Sequence, residues 1–145
     1  DNLVWEDNFD VDGAPNFNRW TFDIGDGTAQ GIPGWGNNEF QYYTSRPENV
    51  KVENGNLVIT ARKETFSGSG YTSARLLTKG LFEQAYGRFE ARIQLPYGQG
   101  IWPTMLRIPR SLSILALGKI EISTKLQHTV AICNNCTAPL NFIPE

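Results

Sequence analysis

Residues 35–64 read WGNNEFQYYTSRPENVKVENGNLVITARKE, and the second half of this stretch decides the fold. Val50-Lys51-Val52-Glu53 runs into Asn54-Gly55, after which Leu57, Ile59 and Ala61 alternate with Val58, Thr60 and Arg62. A period of two is the mark of a half-buried strand. Asn-Gly between two such runs closes a two-residue hairpin, because both turn positions need positive φ. Outward from this hairpin the same texture recurs. In residues 87–95, Phe89, Ala91, Ile93 and Leu95 would share one face, and Arg88, Glu90, Arg92 and Gln94 the other. Pro96 and Gly98 would stop that strand. Residues 73–78 read as a third strand, entered through a Gly68-Ser69-Gly70 turn. Few segments repeat apolar residues at helical spacing, so the expectation is an all-β sandwich of antiparallel sheets.

Beyond Thr104 the texture changes. Residues 105–117, MLRIPRSLSILAL, suit a strand or a short helix, and Lys119–Ser123 alternates again. The tail, CNNCTAPLNFIPE, has two prolines and no period. No internal repeat or linker divides residues 1–145, which are expected to form one domain. Its 145 residues are enough for a real core.

Composition narrows the partners. Thirteen Lys and Arg against fifteen Asp and Glu give a net charge of −2, with no basic stripe, so nucleic acid is not expected. No apolar run approaches the roughly 20 residues of a membrane span. The start, DNLVWEDNFD, lacks the basic and apolar regions of a signal peptide and reads as a mature start after processing. Cys133 and Cys136 form a lone CxxC, and His128 is the single histidine, so a four-ligand zinc site cannot be assembled. Incidental thiols or a short local disulfide are the expectation. Asn135-Cys136-Thr137 is a glycosylation acceptor that matters only in a secretory pathway.

Four segments in series carry a family resemblance: DNLVWEDNFD, NRWTFDIG, GWGNNEFQYYTSRPENVKVENGNLVITARKE and YTSARLLTKGLFEQAYGRFEARIQLPYGQGIWP. In this order and spacing they resemble glycoside hydrolase family 16, in particular its bacterial laminarinases, the endo-β-1,3-glucanases. The resemblance covers roughly residues 3–103; residues 104–145 diverge. It implies a concanavalin-like jelly roll of two curved antiparallel sheets, whose concave sheet forms an open cleft for β-1,3-glucan. It also implies retaining hydrolysis, which needs two carboxyl groups about 5–5.5 Å apart, one attacking the anomeric carbon and the other protonating the leaving oxygen. The family draws both from one bulged strand reading Glu-x-Asp-x-x-Glu.

Here the chain departs from the pattern. Gly118-Lys119-Ile120-Glu121-Ile122-Ser123-Thr124 aligns by spacing, which sets Lys119 at the nucleophile position and Thr124 at the acid/base position. Glu121 is then the one carboxylate left. Losing one of the two roles costs on the order of 10²–10⁴ in rate. The chain also falls short of the roughly 200–250 residues common in β-sandwich enzymes, so it reads as truncated, and self-association is expected to cover exposed strand edges.

The resemblance suggests substrate contacts at Trp102, Arg75, Asn38 and Trp35. For the tryptophans the competing reading is core packing, for Asn38 a turn residue capping its own backbone, and for Arg75 a solvated charge. With Ala74 and Leu76 inward, Arg75 belongs on the open face. Of Tyr42 and Tyr43, one should face the core and the other the cleft or solvent. Glu39, Glu83 and Glu90 read as surface charges. No cofactor is required; a structural calcium held by backbone oxygens near Asn8, Asp10 and Gly55 is implied by the family. The expected location is extracellular. Three functions compete: a β-1,3-glucanase, a β-glucan-binding module without catalysis, and a truncated or frame-altered glucanase product with no function of its own.

Overall fold

The computed structural model describes residues 3–84, 91–96, 101, 103–108, 111–116 and 120–123. Its ten strands are β1 (Thr21–Asp23), β2 (Gln41–Tyr43), β3 (Val50–Glu53), β4 (Asn56–Ile59), β5 (Arg62–Phe66), β6 (Ser69–Leu77), β7 (Arg92–Gln94), β8 (Thr104–Ile108), β9 (Ser111–Ala116) and β10 (Ile120–Ser123). They form two sheets. One runs β3-β4-β10-β7; the other runs β1-β6-β9-β8, with β2 and β5 also paired to β6.

The Asn54-Gly55 hairpin forms as the sequence predicts. Val50 to Glu53 pair antiparallel with Ile59 to Asn56, and the two turn residues take φ of 52° and 73°. These left-handed values match the right-handed twist of the flanking strands. Val50, Val52, Leu57 and Ile59 point inward from this hairpin. Val58, on the alternate face, is also buried, so β4 is covered on both sides.

Strand β6 is longer than the sequence suggested. The turn lies at Ser67-Gly68, and Ser69 and Gly70 already belong to the strand. Its nine residues serve four neighbours. The first half pairs antiparallel with β5 and parallel with β2; the second half pairs with β1 on one side and β9 on the other. The β2–β6 pair is thus a parallel exception in otherwise antiparallel sheets. Within the stretch 105–117, open between strand and helix on sequence, the described residues belong to β8 and β9, which pair from Thr104↔Leu115 to Ile108↔Ser111.

The core fills the space between the sheets. Trp20, Leu57, Ile59, Ala74, Leu76 and Met105 are its centre, with Ala91 and Ile93 packed at its margin. Trp20 cannot be buried without a partner for its indole N–H. Asp7 Oδ2 accepts that hydrogen bond at 2.6 Å, and Trp5 meets Trp20 edge-on.

Candidate functional site

Alternation along β6 separates core from open face. Thr72, Ala74 and Leu76 turn inward and are fully buried; Tyr71, Ser73 and Arg75 turn the other way. The register then sets the neighbours on that outer face: Gln41 beside Tyr71, Tyr43 beside Ser73 and Asp23 beside Arg75.

The loop between β1 and β2 folds over part of this face. It makes two 3-10 turns, Thr28–Gln30 and Pro33–Gly36. Gly27 permits the fold-back: a Cβ at this position would lie 2.2 Å from the Ile32 carbonyl oxygen, and its φ is +87°. Trp35 follows with φ +53°, a conformation that a bulky side chain adopts only under constraint. The constraint is visible. Trp35 N–H donates to Asp26 O at 3.3 Å and its indole Nε1–H to Gly25 O at 3.2 Å. Gly25 in turn exchanges two backbone hydrogen bonds with Tyr43.

The result is a packed aromatic and charged platform. The Trp35 ring lies 5.6 Å from the Tyr43 ring at 48°, and the Arg75 guanidinium sits 5.1 Å above Trp35. Such a cation over indole contributes about 0.5–2 kcal/mol. Arg75 Nε is 3.1 Å from Asp23 Oδ2, a contact of charge, since the Nε–H is aimed at no acceptor. Tyr43 is fully buried yet stands apart from the inter-sheet core; the folded-back loop covers it. Its hydroxyl donates to Glu39 Oε2 at 2.9 Å, which also accepts from Gln41 Nε2 at 2.5 Å. Burial, and then the Glu39 charge, push the Tyr43 phenol well above its ordinary range. It therefore stays a hydrogen-bond donor. An indole ring beside fixed polar groups on an open sheet face suits a pyranose, which presents an apolar face and a rim of hydroxyls.

The structure brings together two of the residues expected from sequence, Trp35 and Arg75. Asn38 lies in the same loop, exposed, with φ +55°. Glu121 is not brought to them. Strand β10 sets it opposite Val58 and Gln94 in the four-stranded sheet, whereas Arg75 belongs to the six-stranded one. Trp102, Lys119, Thr124, Glu90, His128, Cys133, Asn135 and Cys136 lie outside the described residues. Glu83 is exposed and accepts from Gly80 N–H. Glu39 is not the plain surface charge expected from the sequence: the side chains of Gln41 and Tyr43 donate to it. The signal available was the two-residue spacing of Glu39, Gln41 and Tyr43 leading into β2, which sets Gln41 and Tyr43 on one face of that strand with Glu39 just before it.

Among the described residues no three His, Cys, Asp or Glu side chains gather as metal ligands. Near the expected calcium position the Asp12 carboxylate is taken by Asn54 N–H, and Asn8 and Asp10 are exposed. A calcium there would depend on backbone oxygens.

The family model for glycosyl hydrolases family 16 matches residues 37–113, more than half of the chain, and the chain belongs to that family. It is 48% identical to a beta-glucanase of Rhodothermus marinus over 74% of this chain and 36% of that protein. It is 40% identical to a glucan endo-1,3-beta-glucosidase of Cryptopygus antarcticus over 75% of this chain and 39% of that protein. The laminarinase catalytic domain of Thermotoga maritima superposes with a TM-score of 0.66 at 54% identity, covering 72% of this chain and 42% of that one. The two sheets are thus a jelly-roll sandwich, and the chain spans between about a third and two fifths of these relatives.

Proposed function

We propose that the chain acts on β-1,3-glucan as an endo-β-1,3-glucanase of the laminarinase type, holding the polymer on the open face of the six-stranded sheet. The observation that carries this is the Trp35–Arg75 platform, an indole 5.1 Å from a guanidinium on that face. A glucose ring would lie against exposed parts of this aromatic surface while Arg75 and Asn38 meet its hydroxyls. Similarity to laminarinases supports the choice of polymer. Retaining hydrolysis through two carboxylates is the chemistry the family membership suggests. A polymer of this kind is met outside the cell, so the protein is proposed to work there. Pairing of copies at sheet edges belongs to the same proposal and is read by sedimentation velocity.

One observation favours a second reading, glucan binding without cleavage: β10, which carries Glu121, pairs in the sheet that lacks Arg75. Incubating purified protein with laminarin separates the two. Reducing ends should accumulate over hours, as they do with an active laminarinase run in parallel. Retention on insoluble β-1,3-glucan with no release of reducing ends would establish the binding module instead. Neither release nor retention would overturn both.

A further inference from the structure

Glu39 is tied at two points. Its backbone N–H donates to Gly34 O at 3.1 Å, inside the loop that carries Trp35, and its carboxylate takes hydrogen bonds from Tyr43 and Gln41 on β2. It therefore joins the loop to the sheet directly beneath the aromatic platform. Gln41 and Tyr43 are both buried, so neither can turn to solvent for another partner. Removing the carboxylate would leave a buried phenol O–H without its acceptor, a loss that side-chain movement relieves at lower cost than burial unpaired. The backbone of Tyr43 is held separately by Gly25. What Glu39 controls is thus the ring, and Trp35 leans on that ring.

We infer that Glu39 is a positioning residue: through the Tyr43 hydroxyl it fixes the tilt of Trp35 beneath Arg75, and so the affinity of the platform for a β-glucan chain. The inference rests on the glucan-binding reading for its ligand but not for its geometry. Nothing here requires Glu39 to touch sugar or transfer a proton. Its part is to accept, and an amide oxygen can accept as well.

The test labels the full chain with 5-fluorotryptophan and follows the Trp35 resonance, assigned by Trp35→Phe. In Glu39→Ala that resonance should shift or broaden while Trp20 stays in place. Tyr43→Phe, which keeps the ring and removes the donor, should move it in the same way. Glu39→Gln should leave it within a linewidth. Laminaripentaose titrated into each protein should bind about tenfold more weakly to Glu39→Ala, the loss of roughly one charge-assisted hydrogen bond. Glu39→Gln should fall less than threefold, and adding Tyr43→Phe to Glu39→Ala should cost nothing more. An unmoved Trp35 signal in Glu39→Ala overturns the inference, as does Glu39→Gln behaving like Glu39→Ala. Should Glu39→Ala unfold, the Glu39→Gln and Tyr43→Phe resonances decide the matter. If the unaltered chain fails to bind laminaripentaose, the glucan reading falls, while the Trp35 resonance still decides the positioning role.

Discussion

Asn49 shows how one buried side chain can hold several segments. Its Oδ1 accepts from Thr44 Oγ1 at 2.5 Å and Arg46 Nη2 at 3.1 Å. Its Nδ2 donates to Thr60 O at 3.0 Å and to Thr72 Oγ1 at 2.9 Å. That is the full capacity of a carboxamide, two acceptor and two donor positions, at a residue with no solvent exposure. Asn49→Ala should therefore strand several buried groups and lower stability by about 3 kcal/mol, measured by urea unfolding. Asn49→Asp keeps the acceptors but sets an oxygen against the Thr60 carbonyl, and should cost about as much. A loss below about 0.5 kcal/mol in both would mean that water replaces the amide. Little of this was legible beforehand. Within SRPENV, Asn49 reads as an ordinary loop polar residue, since its partners lie up to 23 positions away. Trp35 and Arg75 were legible as candidates; that one lies over the other was not.

At the scale of elements, the β5–β6 hairpin carries the clearest electrostatic consequence. Glu64 on β5 accepts from Thr72 on β6 at 2.5 Å and pairs with Arg46 from the loop before β3. The Thr72 hydrogen bond, then Arg46, hold its carboxyl below the usual glutamate range. A carboxylate with a depressed folded pKa contributes stability above its ordinary value of about 4.3, and that contribution is lost as pH falls through the folded value. Glu64→Gln should thus be less stable than the unaltered chain near neutrality. The gap between the two should close as pH drops from about 5 to 3, read from unfolding midpoints across pH. A gap that stays constant with pH would show that the charge on Glu64 is not what matters. The hairpin through Asn54-Gly55 was readable because its turn chemistry is local. Strand β6 begins earlier than the sequence suggested because the chain turns at Ser67-Gly68, both at positive φ, and Ser69 pairs at once with Phe66; a non-glycine residue at the first turn position hid that hairpin.

At the scale of the whole molecule, the two sheets are held by one shared core. Leu76 belongs to the six-stranded sheet and Leu57 and Ile59 to the four-stranded one, and all three are fully buried in the same cluster. Leu76→Ala should cost about 2–5 kcal/mol, from lost transfer energy plus the cavity left behind. Because the core is common to both sheets, near-ultraviolet and far-ultraviolet dichroism should lose signal in one coincident thermal transition at a lower midpoint. Two separated transitions would show that the sheets unfold independently. Cleft and core also share β6: the residues that bury Leu76 fix the strand from which Arg75 projects.

The sequence by itself determined the class of fold, the hairpin at residues 50–59 and the family, because strand period, turn chemistry and motif order are properties of neighbouring residues. Only the tertiary structure decided that Tyr43 is buried beneath a loop instead of within the core, that Glu39 holds it there, and that Glu121 and Arg75 belong to different sheets. Those outcomes depend on which strands pair, and pairing is set by burial summed over segments far apart in the chain.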